Sequence, residues 1–152
     1  QESDVVIKMV EALGGVATPM AYGDVFQALQ TKIVDIAEND PMSYVMSGHY
    51  EVAKYYALDN HQISPSIYIM SQKAWDSMNE AQRKVFQECL DEYLDEQSAE
   101  QGTMLAEYRK QAEDAGCEFI EVDTAEFQEA CQAVYDMFPE YADYIERIKA
   151  ID

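Results

Sequence analysis

Val16-Ala17-Thr18-Pro19-Met20-Ala21-Tyr22-Gly23-Asp24-Val25-Phe26-Gln27-Ala28-Leu29-Gln30-Thr31-Lys32-Ile33-Val34-Asp35-Ile36-Ala37-Glu38-Asn39 changes its hydrophobic period twice. Residues 16–21 carry Pro19 and read as extended. Val25, Phe26, Leu29 and Ile33 then recur at three- and four-residue spacing, which predicts an amphipathic helix from Gly23 to about Val34. Asp35 to Pro41 is next a short strand or loop that bunches three acids and an amide against a proline. Extended segments interleaved with helices place the chain in the α/β class.

The pattern continues outward in both directions. Upstream, Val5, Val6, Met9, Val10 and Leu13 predict a helix over 3–13, capped by Ser3 or Asp4 and stopped by Gly14-Gly15. Downstream, a third helix is expected over 44–53, followed by a strand over 55–71 in which His61, Ile63, Pro65, Ile67 and Ile69 alternate with polar or aromatic neighbours. From Lys73 to Ala115 the spacing is helical almost throughout, and Asn79 with Gln82 forms a capping-box pair inside it. That divides the stretch into a short helix over 73–78 and one from Glu80 of about 35 residues, roughly 50 Å long, with Gly102 as a candidate bend. Gly116 ends it, 117–122 alternates like an edge strand, Asp123 and Glu126 cap a helix reaching Phe138, Pro139 stops that helix, and 141–151 is a last short one.

Among 152 residues, 30 acids against 10 Lys and Arg give a formal net charge of −20. Nucleic acid and anionic membrane surfaces are therefore excluded as partners, because both are gripped by clustered cations and no more than two basic residues adjoin anywhere. A hydrophobic share of 48% still fills a core, so the charge reads as solvated surface on one folded domain. Gln1-Glu2-Ser3-Asp4 is unlike the basic start of a signal peptide, so any targeting segment is expected to have been removed or to lie outside the sequence. Cys89, Cys117 and Cys131 read as structural thiols, a Cys89–Cys131 or Cys117–Cys131 bridge being the alternative.

His49 and His61 stand apart in no ligand motif, and no phosphate loop or nucleophile elbow occurs, so neither metal nor cofactor is expected. Asp35, Glu38 and Asp40 lack the alternate spacing of a calcium loop and read as a solvated acidic loop. Tyr22, beside Gly23, falls at an extended-to-helix transition, where an α/β sheet opens its binding crevice. If Asn39 ends the next extended segment, a ring and an amide face one cleft, which suits a small polar organic ligand better than a reaction.

Residues 17–30 and 34–39 resemble the DctP-type receptors of tripartite ATP-independent periplasmic (TRAP) transporters, whose consensus there is close to TPMAFxEVYxALQxGxVDGQEN. Tyr50-Glu51-Val52-Ala53-Lys54-Tyr55, Asp59-Asn60-His61 and Ser71-Gln72-Lys73-Ala74-Trp75-Asp76 continue the likeness, which covers essentially 1–138. The resemblance implies the C-terminal half of a two-lobed, periplasmic-binding-protein-like receptor that closes on an organic acid (dicarboxylate, sugar acid or keto acid) and delivers it to the TRAP membrane permease. It implies no enzyme activity and a periplasmic or extracytoplasmic location, with lipid anchoring to the outer face of the membrane as a further expectation. Residues 1–60 then belong to the C-terminal ligand-binding lobe, 61–115 form a strand and a long helix crossing the lobes, and 116–152 form the final strand and helices.

Site roles carried over from that resemblance place Tyr22 as the aromatic plate against the ligand and Asn39 as the amide that hydrogen-bonds it. Glu38 and His61 match positions that order water near the cleft, and Gln1 and Glu2 match residues that approach the site. The family's carboxylate-clamping arginine is expected ahead of Gln1, on the missing N-terminal side with the other lobe, and Arg83, Arg109 and Arg147 lie too far down the chain to replace it. Ile36 and Ala37 depart from the family's Gly and Gln beneath Asn39. The hydroxyl of Tyr22, where the family has Phe or Trp, favours a more polar ligand such as a sugar acid. Two other classes compete with this reading. One is an acidic helical interaction protein that dimerises through its long helix, and the other a hydrolase built on Asp35, Glu38 and Asp40, which needs an apolar pocket to raise a carboxyl pKa. A homodimer through the long helix is also an expectation for the receptor itself.

Overall fold

The computed structural model describes residues 3–151, and its frame is a pair of parallel strands. β1 (Tyr55–Leu58) lies beside β2 (Glu118–Glu121) in the register Tyr55 to Glu118 through Leu58 to Glu121. Parallel neighbours need a long crossover, and here it contains α4 (Gln72–Ser77) and α5 (Glu80–Asp114). The boundaries of α5 are chemical. Asn79 Oδ1 accepts from Gln82 N–H and Gln82 Oε1 accepts from Asn79 N–H, both at 2.9 Å, closing the expected capping box. At the other end Gly116, at φ +84, lets its N–H reach Glu113 O and the Cys117 N–H reach Ala112 O, a Schellman stop that turns the chain directly into β2.

The remaining elements are α1 (Asp4–Ala12), α2 (Val25–Gln30), α3 (Pro41–Met46), α6 (Thr124–Asp136) and α7 (Ala142–Lys149). α1 packs on α6, and α3 packs on α5. The central core joins α3, the last turn of α5 and the residue leading into β2: Tyr44, Val45, Ala112 and Cys117 are buried, with Tyr50, Ala53, Tyr56, Tyr108 and Phe119 packed around them. Its aromatic members meet tilted or edge to face, Tyr44 lying 5.0 Å from Tyr56 and Tyr56 5.3 Å from Phe119. Tyr44 also donates its hydroxyl to Ala53 O at 2.6 Å, so the ring fills the core without leaving a polar atom unpaired. All three cysteines are free thiols, which removes the bridged alternatives.

Several expected boundaries move. The helix expected over 23–34 is a 3-10 turn (Tyr22–Asp24) followed by α2, because Lys32 adopts a left-handed backbone (φ 58) that ends the helix after Gln30. The helix expected over 44–53 starts earlier and stops sooner. Asp40 caps it by accepting from Ser43 N–H at 2.8 Å, Pro41 takes the first helical position, and Gly48 at φ +72 breaks it before a 3-10 turn at His49–Glu51. The strand expected over 55–71 exists only at Tyr55–Leu58. β2 offers four residues to pair with, and Asn60 leaves the extended region at φ 51, so the alternating run beyond it has no ladder to join. Ile63, Ile67 and Ile69 are consequently 91%, 77% and 90% exposed. On the apolar stripe of α5, Phe86, Tyr93 and Leu94 are also exposed, Leu90, Met104, Leu105 and Tyr108 are half-buried, and Ala112 is its one buried residue among those described.

Candidate functional site

Asn39 stands in the loop just before α3, held from three directions. Its backbone carbonyl accepts the Tyr56 hydroxyl at 2.6 Å, its Oδ1 accepts the Asp40 N–H at 3.0 Å, and its Nδ2 donates to Tyr22 Oη at 3.2 Å. The amide therefore has a fixed orientation, oxygen toward Asp40 and nitrogen toward Tyr22. Tyr22 opens its 3-10 turn with a half-exposed ring, and its hydroxyl also bonds Ser47 Oγ at the end of α3. Neither residue lies at the end of a strand, yet the ring and the amide meet across 17 positions of sequence, as the cleft reading requires.

Behind the pair, the buried His49 ring is 5.8 Å from the Tyr22 ring, and burial, which disfavours the charged form, holds its pKa below the ordinary histidine value. His49 and Asn39 line a cavity of about 40 Å³ with Ala37, Tyr44 and Tyr56. That volume holds about one water molecule. The cavity is thus too small to enclose an organic molecule.

Beside the amide is a charged cluster. His61 Nδ1 is 2.7 Å from Asp59 Oδ1, and its Nε2 is 3.7 Å from Glu38 Oε2, with all three side chains no more than a quarter exposed. The Glu38 carboxylate, followed by that of Asp59, outweighs burial and lifts His61 to about 9, so the ring is an imidazolium at neutral pH. Hydrogen bonding to His61 pulls Glu38 down in turn. The structure thus brings four expected site residues into two adjacent pairs, Tyr22 with Asn39 and Glu38 with His61. Glu2 and Gln1 lie outside the described residues.

Three members of this constellation were not legible in the sequence. Ser47, His49 and Tyr56 are ordinary residues in their local patterns, and only folding places them against Tyr22 and Asn39, whereas Asp59 reaches His61 from two residues away. The arginines are engaged elsewhere: Arg83 donates to Trp75 O, Arg109 pairs with Glu113 and lies over Phe119, and Arg147 lies over Tyr144. Among the described residues no group of three or more His, Cys, Asp or Glu is arranged to hold a metal ion, and no helix is long and apolar enough to cross a membrane.

The profile of the bacterial extracellular solute-binding proteins, family 7 (DctP), matches residues 1–141. The chain belongs to this DctP family. A solute-binding protein of Chromohalobacter salexigens is 40% identical over 139 residues, which is 90% of this chain and 41% of that protein. Among solved structures, a TRAP periplasmic solute-binding protein from the same organism with bound D-glucuronate superposes with a TM-score of 0.89 at 36% identity, covering 97% of this chain and 49% of that one. A TRAP receptor from Sulfitobacter with bound β-D-galacturonate gives 0.87 at 36% identity, covering the same 97% and 49%. The chain thus spans about half the length of the solved DctP receptors it matches and about two fifths of the curated relative. DctP proteins are solute-binding receptors, not enzymes, and the helix-rich α/β fold with its small parallel sheet and long α5 is theirs.

Proposed function

We propose that this chain forms one wall of a TRAP receptor for a hexuronate, the sugar acid class, with Asn39 and Tyr22 as its ligand-facing residues. The observation that carries the reading is the Asn39–Tyr22 contact on an open wall. After its bonds to Asp40 and Tyr22, the amide keeps one N–H and one oxygen lone pair among the described residues, a complement to a sugar hydroxyl that both accepts and donates. The Tyr22 ring beside it offers an apolar plate to the C–H face of a pyranose. Two solved relatives holding D-glucuronate and β-D-galacturonate support a sugar acid over a dicarboxylate or a keto acid.

A ligand carboxylate needs an uncommitted cation: the His61 imidazolium is already paired with Asp59 and Glu38, and the arginines are engaged elsewhere. In our reading the second lobe supplies it, ahead of Gln1, and closes over the wall because contacts to the sugar acid form fully only in the closed state. Residues 59–71 and the exposed face of α5, including Phe86, Tyr93 and Leu94, are then the surfaces that cross to that lobe, which accounts for their uncovered apolar side chains. The same exposure is what a dimerising helix would show, but the receptor reading explains it together with the Asn39 site. Delivery to a TRAP permease and attachment outside the membrane by a lipid complete the proposal.

Thermal shift of the full-length receptor against dicarboxylates, sugar acids and keto acids tests it. D-glucuronate or D-galacturonate should raise Tm, since a ligand at about a hundred times its Kd adds about 2.7 kcal/mol to the folded state, and Asn39→Ala and Tyr22→Ala should each abolish most of the shift. No stabilisation by any acid would overturn the proposal.

A further inference from the structure

We infer that Ser47 is a positioning residue of this site, tethering the Tyr22 hydroxyl so that the Asn39 amide meets the ligand in one orientation; the inference rests on the sugar-acid reading above. Tyr22 has little of its own to hold it. It lies in a short exposed turn, and its ring is more than half exposed, with His49 on one side. A ring in that setting samples several side-chain rotamers unless its far end is fixed.

Ser47 is well placed to fix it. It caps the C-terminus of α3 directly after Met46, its N–H bonds Ser43 O and the following Gly48 N–H bonds Val45 O, each at 3.0 Å. α3 is seated in the core through Tyr44 and Val45, each only 4% exposed. The Ser47 hydroxyl is therefore rigid relative to the fold, and it reaches Tyr22 Oη across 25 positions of sequence. Tyr22 Oη in turn accepts from Asn39 Nδ2. A phenol oxygen has one proton and two lone pairs, enough to serve Ser47 and Asn39 together. The chain Ser47–Tyr22–Asn39 thus runs from a core-anchored helix to the ligand amide, and the Asp40 N–H on Asn39 Oδ1 sets the other end. Replacing the phenol by a plain aromatic ring would keep the plate and lose the tether, so this chain's tyrosine has a role that an apolar ring could not fill.

The test is a double-mutant cycle on the full-length receptor. Calorimetric Kd values for D-glucuronate and D-galacturonate would be compared for wild type, Ser47→Ala, Tyr22→Phe and the double substitution. Ser47→Ala should raise Kd about fivefold to tenfold, the loss of one net hydrogen bond, Tyr22→Phe at least as much, because it removes the bonds to both Ser47 and Asn39, and the double change no more than Tyr22→Phe alone, because Ser47 acts only through the Tyr22 hydroxyl. Ser47→Thr, which retains a hydroxyl, should stay within about twofold of wild type. The Asn39 side-chain NH₂ resonances of the unliganded protein should move in both Ser47→Ala and Tyr22→Phe, while unliganded Tm stays near wild type; a purely structural Ser47 would lower that Tm and leave the Asn39 signals alone. Multiplicative losses, or an unchanged Kd and NH₂ signal in Ser47→Ala, would overturn the inference. If wild type bound neither hexuronate, the sugar-acid reading would fail, and the NH₂ signals would still decide whether the tether exists.

Discussion

Replacing His61 by Gln removes the one imidazolium of the site and should change how stability depends on pH. The ring is 15% exposed between Asp59 at 2.7 Å and Glu38 at 3.7 Å. Glu38, then Asp59, lifts its pKa from 6.5 to about 9. One pKa unit is about 1.4 kcal/mol, so the native fold favours the protonated ring by about 3 kcal/mol. The folded pKa lies above the unfolded one, so this contribution is fully present below about pH 6.5 and is lost as pH rises through about 9. The assay is urea unfolding of the full-length receptor, wild type and His61→Gln, between pH 6 and pH 10, with the His61 Cε1–H signal followed by NMR in parallel. All other titrating groups are common to both proteins, so the difference between the two isolates His61. That difference should shrink by about 3 kcal/mol across the range, with most of the change between pH 6.5 and 9. A constant difference, or an NMR midpoint at or below 6.5, would refute the charged-cluster reasoning.

Asn79→Ala removes the side-chain acceptor of the Gln82 N–H in the capping box at the start of α5 and should cost about 1 kcal/mol, seen as a lower urea midpoint at unchanged slope; an unmoved midpoint would mean that this cap bond contributes nothing to the helix end. Thiol labelling should separate the cysteines: exposed Cys89 reacts with iodoacetamide in the native protein, whereas Cys117, 7% exposed and donating to Tyr50 O, reacts only on unfolding. Equal labelling rates at the two sites would contradict the core assignment.

What could be read without coordinates was local chemistry. Asn79 with Gln82, and Gly116 with its left-handed backbone, delimit α5 because caps and stops are settled by residues three or four apart. The Tyr22 and Asn39 motif was likewise legible through its resemblance to a family, and the two side chains do meet. Asp40-Pro41 was read as loop although it is the cap and first turn of α3, a short-range signal that the preceding acidic run obscured. Residues 55–71 mark the opposite limit. Their alternation is real in the sequence, but a strand is a relation between two segments, and β2 reaches only Leu58.

The composition and spacing of this chain by themselves determined an acidic α/β protein with a long capped helix, because helix ends and amphipathic periods depend on near neighbours in sequence, and its resemblance to a family singled out Tyr22 and Asn39. Tertiary structure alone decided that Ser47 meets Tyr22, that Tyr56 meets Asn39, and that Glu38 comes to His61 opposite its near neighbour Asp59. The same packing sets the charge of that histidine, since a pKa answers to whichever groups the fold brings within a few ångströms.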